Sequence, residues 1–241
     1  LNGLLRNAQG GLSGLRDEDA LIEISGWLEK KQRKPVAALI GLAAAALRAR
    51  QSRQADPDTA GAVRQAMDLT AGAIELLQQV RFHADAPPEQ VIAGGVQRVY
   101  AVGRRYIRMI SSGYPAQDIW HGWRKRAKDL RYQAGFISPA WPAYCRFWEE
   151  ELHHLTDCLG RQRDVFLLME RLKQPEIDWP QPVRKETDLL LNVLEKARVE
   201  QARKAWVLGR KLYLDPPKWW GSRIASLWRA HRDQHGTDRH E

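Results

Sequence analysis

The sequence lacks long apolar runs, has few cysteines and shows almost none of the alternating pattern that marks β-strands. No segment approaches the roughly 20 consecutive apolar residues of a membrane-spanning helix, although 44% of the 241 residues are hydrophobic. The two cysteines, Cys145 and Cys158, are too few for a disulfide framework and lack the CxxC spacing of metal or redox sites. These absences predict a soluble globular chain in a reducing compartment, with the cytoplasm as its expected location.

Acidic residues are also in short supply. The chain has 38 lysines and arginines against 29 aspartates and glutamates, which gives a formal net charge of +9. An excess of this size favours a polyanionic partner. Nucleic acid, an anionic membrane surface and a phosphate polymer all fit, and net charge alone does not choose among them.

Helical periodicity is present from end to end. Apolar residues recur at intervals of three and four, which predicts an all-α fold. Breaks rich in proline, serine or glycine separate the segments. We predict helices over 17–32, 35–54, 58–82, 89–110, 116–137, 140–160, 163–173 and 180–212, then a Trp-rich basic tail over 213–241 that packs on the domain before becoming disordered.

A weak internal sequence repeat suggests that the chain has two related halves. The segment 12–28 resembles 159–172, with Arg16-Asp17 aligned on Arg163-Asp164. The copies lie too far apart for an ordinary solenoid repeat, so we interpret them as parts of two helical halves, about 1–85 and 86–212, packed as a bundle. We expect each Arg-Asp pair to form an intramolecular ion pair at a helix start rather than to bind a ligand.

The segment 120–132, WHGWRKRAKDLRY, concentrates basic residues on one helical face. Because successive residues of an α-helix turn by about 100°, this face carries His121, Arg124, Lys125, Lys128, Arg131 and Tyr132. The opposite face carries Trp123, Ala127, Leu130, Ala134 and Ile137, which we predict to be buried. A solvated helix normally intersperses acids among its bases, but here Asp129 is the only acid. An external anion would neutralise this face.

The preceding helix repeats the arrangement. Arg98, Arg105 and Arg108 have the spacing of His121, Lys128 and Arg131. The short connection at 111–115 predicts that the two helices are antiparallel neighbours. Their basic faces are therefore expected to line a shared groove, although an ordinary solvated surface is the alternative interpretation of any basic helical face.

These residues resemble the conserved histidine α-helical domain, or CHAD, family. His121, Arg124, Lys128, Arg131 and Tyr132 match the family's histidine motif, and Leu159-Gly160 with Arg163-Asp164 resembles its LG-x-x-RD element. The segment 96–110 is similar to the helix before that motif, and 12–20 is similar to the first-half LG-x-x-RD copy. No first-half histidine helix is recognisable in residues 1–11, so the chain is expected to begin inside the first repeat.

The resemblance implies an all-α fold of two similar halves around a basic cavity, and binding of inorganic polyphosphate, often at polyphosphate granules. Arg124, Lys125, Lys128 and Arg131 would then be direct phosphate ligands, His121 a charged donor and Tyr132 a hydroxyl donor or a packing residue. Arg98, Arg105 and Arg108 would form the facing wall. Lys204 and Lys211 are further candidates, for which a solvated helix face is the better interpretation.

We expect no catalytic residue, metal ligand or cofactor. The scattered histidines 153, 154, 231, 235 and 240 lack the spacing of a metal site. Two alternatives stay open for the function: a helical nucleic-acid-binding protein without specific base recognition, and an accessory domain of a CYTH-type triphosphatase whose catalytic part lies outside this chain. A homo-oligomer is also left open, and the tail could instead be an interfacial membrane helix.

Overall fold

The computed structural model describes residues 2–53, 59–80, 87–113 and 116–236, which form ten helices and no strand. This confirms the predicted all-α fold. The helices are α1 (Asn2–Gly11), α2 (Ser13–Glu29), α3 (Lys34–Arg53), α4 (Thr59–Gln79), α5 (Pro88–Ser111), α6 (Gln117–Ile137), α7 (Pro142–Leu172), α8 (Gln181–Lys185), α9 (Thr187–Leu212) and α10 (Pro217–Gly236). The gap predicted between the helices 35–54 and 58–82 lies outside the described residues, as does part of the 111–115 connection.

Proline marks several helix starts. Pro88, Pro142 and Pro217 each occupy the first position of a helix. Proline is tolerated there because the first amide groups of a helix have no intrahelical acceptor and the fixed φ angle is already helical. Most predicted boundaries therefore agree with the structure to within a few residues.

Two predicted boundaries are wrong. We expected a break after residue 160, but α7 runs without interruption from Pro142 to Leu172. Gly160 is buried within this helix, where a glycine costs only about 1 kcal/mol relative to alanine. The predicted helix over 180–212 is instead divided at Glu186 into α8 and α9. Residues 2–11 also form a helix, α1, which contains no histidine.

Contacts divide the chain into two compact units. Unit 1 comprises Leu1–His83 and Asp164–Lys196, and unit 2 comprises Ala84–Arg163 and Ala197–Glu241. The long helices α7 and α9 each contribute residues to both units.

In unit 1, α2 packs against α3 and α1 packs against α4. The buried side chains include Leu21, Leu28, Ile40, Leu47, Val165 and Leu168. An ion pair between Arg171 and Glu18, 2.7 Å long, joins the last turns of α7 to α2. Both side chains are largely buried, so each charge relies on the other for compensation.

In unit 2, α5 packs against both α6 and α10. The core is rich in aromatic rings, and Trp123, Tyr100 and Trp220 are almost completely buried. The ring centres of Trp148 and Trp220 lie 4.2 Å apart in a stacked arrangement, which holds α10 against α7. The N-terminal part of the Trp-rich tail is therefore a packed helix of this unit.

Two helical glycines allow close approach of neighbouring elements in unit 2. A Cβ atom on Gly122 would lie 2.4 Å from the hydroxyl of Tyr106, and one on Gly209 would lie 2.3 Å from the ring of Trp123. Such distances are far below van der Waals contact. Gly122 thus sets the approach of α5 to α6, and Gly209 sets the approach of α9 to α6.

Candidate functional site

The orientation of α6 agrees with the amphipathic pattern. Its buried residues are Trp120, Trp123, Ala127, Leu130, Ala134 and Ile137, so the predicted core stripe is confirmed. The opposite side carries five basic residues that we call the cationic row: His121, Arg124, Lys125, Lys128 and Arg131. All five are at least partly accessible to solvent. A row of this kind can contact an anion without any rearrangement of the helix.

Helix α7 runs antiparallel along the cationic row. His121 interacts electrostatically with Arg163, and the Arg124 guanidinium lies 3.5 Å from the position that a Cβ on Gly160 would occupy. Further along, Nη1 of Arg131 lies 2.9 Å from a ring nitrogen of His153. The partner's number falls on α7 as the residue number rises on α6. The histidine motif and the LG-x-x-RD element therefore form one surface.

A pair of reciprocal amide hydrogen bonds holds the start of α6 on α7. Nε2 of Gln162 donates to Oε1 of Gln117 over 2.9 Å, and Nε2 of Gln117 donates to Oε1 of Gln162 over 3.2 Å. Gln162 is fully buried, so the reciprocal bonds satisfy an amide that would otherwise be costly to bury. Sequence reasoning missed this pair because the spacing within one helix does not reveal its partner in another.

The surroundings of His121 favour its neutral form. Burial is the main cause of its lowered pKa, and the nearby charges of Lys125, Arg163 and Arg124 lower it further. Its Nδ1 atom is buried and has no hydrogen-bond partner among the described residues. The expected charged donor is therefore not favoured without a ligand, because only an added anion would offset the surrounding positive charge.

The row's cations are only sparsely compensated by acids. Asp129 forms an ion pair with Arg126 at 2.9 Å, outside the row. Lys125 and Lys128 form no hydrogen bond or ion pair with any residue in the described part of the chain. Uncompensated ammonium groups on one helical face repel each other and attract an external anion.

Tyr132 presents its ring rather than its hydroxyl to the row. Its side chain is 56% exposed, and the ring centre lies 6.0 Å from Nζ of Lys128 and 5.2 Å from the Arg131 guanidinium. These are cation–π distances. The ring can therefore orient both cations, in keeping with the packing role that was one of its two expected roles.

The α5 arginines have different surroundings. Arg98, Arg105 and Arg108 are exposed, and none of them makes a hydrogen bond or an ion pair with another described residue. Tyr106, not an arginine, makes the close contact with α6. Their predicted role as a facing wall stays a prediction.

A fourth arginine on α5 has a structural partner. Arg104 donates from Nε to the carbonyl of Tyr213 and from Nη2 to that of Leu214, each over 3.1 Å. These bonds satisfy carbonyls that follow the end of α9. Arg104 therefore has a structural role.

The two candidate ligands on α9, Lys204 and Lys211, also differ in their surroundings. Lys204 is paired with Glu200 on its own helix, which is typical of a solvated face. Lys211 is exposed and has no ion pair among the described residues. Their assignment to ligand binding stays a prediction.

The Arg-Asp pairs do not both mark helix starts. Arg163-Asp164 lies in the interior of α7, so that part of the prediction is wrong, and Arg163 instead lies beside His121. In the first copy, Asp17 lies near the start of α2. The Arg16 side chain lies outside the described part of the structure.

Metal and redox chemistry find no support within the described residues. No group of three or more histidine, cysteine, aspartate or glutamate side chains could hold a metal ion there. Burial raises the pKa of both Cys145 and Cys158, so the thiols are protonated core residues. In the same part of the chain, no helix is both long and apolar enough to cross a membrane.

Together these features define a class: a helical protein whose α6 carries a row of solvent-accessible basic side chains beside the adjoining turns of α7. The chain belongs to the CHAD domain family, whose match covers residues 1–173. Both motifs at the α6–α7 surface lie within the match. No curated protein and no solved structure matches the chain.

Proposed function

We propose that the chain binds inorganic polyphosphate without covalent chemistry, along the cationic row and the adjoining turns of α7. The main support for this proposal is that the histidine motif on α6 and the LG-x-x-RD element on α7 lie side by side. Arg124 lies against Gly160, and His121 interacts electrostatically with Arg163. Family membership makes a polyphosphate-related role the leading expectation. The arrangement of cations gives that role a physical basis.

The spacing of the row suits a linear polyanion. Residues three or four apart on a helix recur about every 5.4 Å, so Arg124, Lys128 and Arg131 offer donors at successive levels along α6. Polyphosphate has no bases to stack or to read, and it therefore needs closely spaced cationic donors and little else. Affinity should rise with chain length, because one polymer engages several donors, and it should fall with added salt.

Binding should take up a proton. A polyphosphate chain beside His121 offsets the positive charges that lower its pKa in the free protein. The bound form would then hold the imidazolium, which can donate to a phosphoryl oxygen. Affinity should consequently increase as the pH falls through the titration range of this histidine.

We further propose that the protein has no catalytic activity of its own and that it targets or organises polyphosphate granules. Among the described residues no group of three or more histidine, cysteine, aspartate or glutamate side chains could hold a metal ion, which is in keeping with this view. Incubation of the purified chain with polyphosphate or triphosphate and Mg²⁺ or Mn²⁺ should release no phosphate. Measurable release that scales with protein concentration would replace binding by hydrolysis as the function.

A competition titration tests the binding proposal. The chain is titrated with polyphosphates of defined length, and short duplex DNA or free phosphate is added at equal phosphate concentration. We expect DNA to compete weakly, because a short row of cations on one helix engages few phosphates of a stiff duplex and non-specific duplex binding needs many such contacts. Displacement of polyphosphate by DNA at equal phosphate concentration would favour a nucleic-acid-binding protein instead.

A further inference from the structure

One end of the cationic row contains a hydrogen bond whose direction depends on a proton. Nη1 of Arg131 lies 2.9 Å from Nδ1 of His153. A guanidinium has only donors, so Nδ1 must accept, and His153 must then be neutral with its proton on Nε2. The observed contact thus requires one tautomer of His153.

The same nitrogen faces a second partner of opposite character. Oδ1 of Asp157, one turn further along α7, lies 3.5 Å from Nδ1 of His153. A carboxylate can only accept, so this contact becomes a hydrogen bond only when Nδ1 carries a proton. A single ring nitrogen cannot accept from Arg131 and donate to Asp157 at once. The two partners therefore belong to different protonation states.

We propose that His153 is a positioning residue for Arg131. The neutral imidazole accepts a hydrogen bond from the guanidinium and holds it against α7. When Nδ1 is protonated it donates to Asp157 instead, and Arg131 is free to bind an anionic ligand. In the charged state two donors, the guanidinium and Nδ1–H, would meet at hydrogen-bond distance, so Arg131 moves away. The Tyr132 ring already lies 5.2 Å from the guanidinium, so this cation–π contact can hold Arg131 after the bond to His153 is lost.

The surroundings of His153 permit this exchange. The neighbouring charged and titratable groups are Arg131 from α6 and Arg146, Glu149, Glu150, His154 and Asp157 from α7. Arg131, Arg146, Glu149, Glu150 and His153 line an open cavity of about 310 Å³, which gives the guanidinium room to swing. The two glutamates balance the two arginines, so protonation of His153 changes the formal charge of the lining from zero to +1. Imidazole is the side chain that changes charge between pH 5 and 8.

Side-chain NMR on the ligand-free protein tests this proposal apart from the proposed function on which its ligand rests. The ¹⁵N shifts of His153 should show the Nε2–H tautomer at pH 8, and the Arg131 signals should move with the same pH midpoint as the imidazole. His153→Gln should abolish the pH response of Arg131, because an amide oxygen accepts at every pH. The matched change His154→Gln should leave it intact. Arg131 signals that ignore the titration of His153 would overturn the proposal.

The ligand-binding consequence is measured separately. In His153→Gln the increase in polyphosphate affinity between pH 8 and pH 5.5 should be about three-fold smaller than in the wild type, the scale of one partly exposed charge contact. Asp157→Asn should make the release of Arg131 at low pH less complete, because Nδ1–H of the imidazolium loses its carboxylate acceptor. If the NMR exchange occurs but no variant binds polyphosphate differently from the wild type, the switch stands and its link to this ligand fails.

Discussion

Two helices of unit 2 carry basic residues at the same spacing and differ in what surrounds them. On α6, Arg124 and Arg131 each contact α7, through Gly160 and His153. On α5, Arg98 and Arg105 are exposed and have no ion pair with any described residue. The same spacing therefore produces a surface shared with α7 on α6, and isolated exposed charges on α5.

The difference shows what a basic helical face needs in order to become a site. Isolated arginines on solvent-exposed turns keep their rotamer freedom, and each must lose about 2 kcal/mol of side-chain entropy on binding. The Arg124 guanidinium already rests against Gly160 of α7 and has lost part of that freedom during folding. We therefore expect the α6 row to supply most of the affinity and the α5 arginines to act through long-range charge.

Removal of the α6 donors should have the largest effect on binding. The triple change Arg124→Ala, Lys128→Ala and Arg131→Ala should weaken polyphosphate binding roughly 100-fold, from three contacts of about 1 kcal/mol each. The slope of log affinity against log salt should also fall by roughly two to three, as for other polyanions that release counterions. Isothermal titration at several salt concentrations measures both quantities. A triple variant with unchanged helicity and normal binding would refute the site.

The position of α6 should depend on its contact with α9. Gly209→Ala places a methyl group in the space of the Trp123 ring and should lower the free energy of unfolding by about 3 kcal/mol. Gly135→Ala, on the exposed side of α6 with nothing near its Cβ position, should raise it by about 0.5 kcal/mol. Chemical denaturation measures both. Equal effects of the two changes would mean that the Trp123–Gly209 contact does not hold α6 in place.

The pH dependence of folding and of binding should have opposite signs at His121. Its pKa is lowered in the folded protein, so the unfolded chain binds more protons and folding stability falls as the pH drops below about 6.5, the ordinary imidazole value. Polyphosphate affinity should instead rise a few-fold over the same interval, because the complex holds the proton. Thermal unfolding with and without polyphosphate, from pH 8 to pH 5.5, measures both trends.

Substitution of the histidine provides the control. His121→Gln should remove the contribution of this group to the pH dependence of folding stability and of polyphosphate affinity, while α6 keeps its position. If the two trends persist unchanged in this variant, His121 is not the titrating group.

The smallest effect is expected on α5. The triple change Arg98→Ala, Arg105→Ala and Arg108→Ala removes as much charge as the α6 triple but should weaken binding less than about five-fold, because exposed charges that do not contact the polymer directly are partly screened by salt. The same titration makes the comparison. Losses of equal size from the two triples would place the α5 arginines in the binding surface, as the shared-groove prediction has it.

The sequence was most informative where apolar and basic residues repeat regularly along one helix. The buried stripe of α6 followed from apolar spacing, and proline marked the starts of α5 and α10. Gly160 misled the boundary prediction because glycine often ends a helix, whereas here it lies inside α7 against Arg124.

The partners supplied by α7 could not be predicted in the same way. Gln162, His153 and Arg163 meet α6 only because two helices pack in one register, and that register depends on the whole core of unit 2. Local spacing carries no information about it. The basic row was thus visible in the sequence, and the surface to which it belongs was not.

A crystal structure of the chain with a polyphosphate of defined length tests the central claim most directly. We expect phosphoryl oxygens within about 3 Å of the donor atoms of Arg124, Lys128 and Arg131, with the polymer following the α6–α7 surface past His121. A polymer that lies along Arg98, Arg105 and Arg108 while the α6 row stays unoccupied would contradict the account.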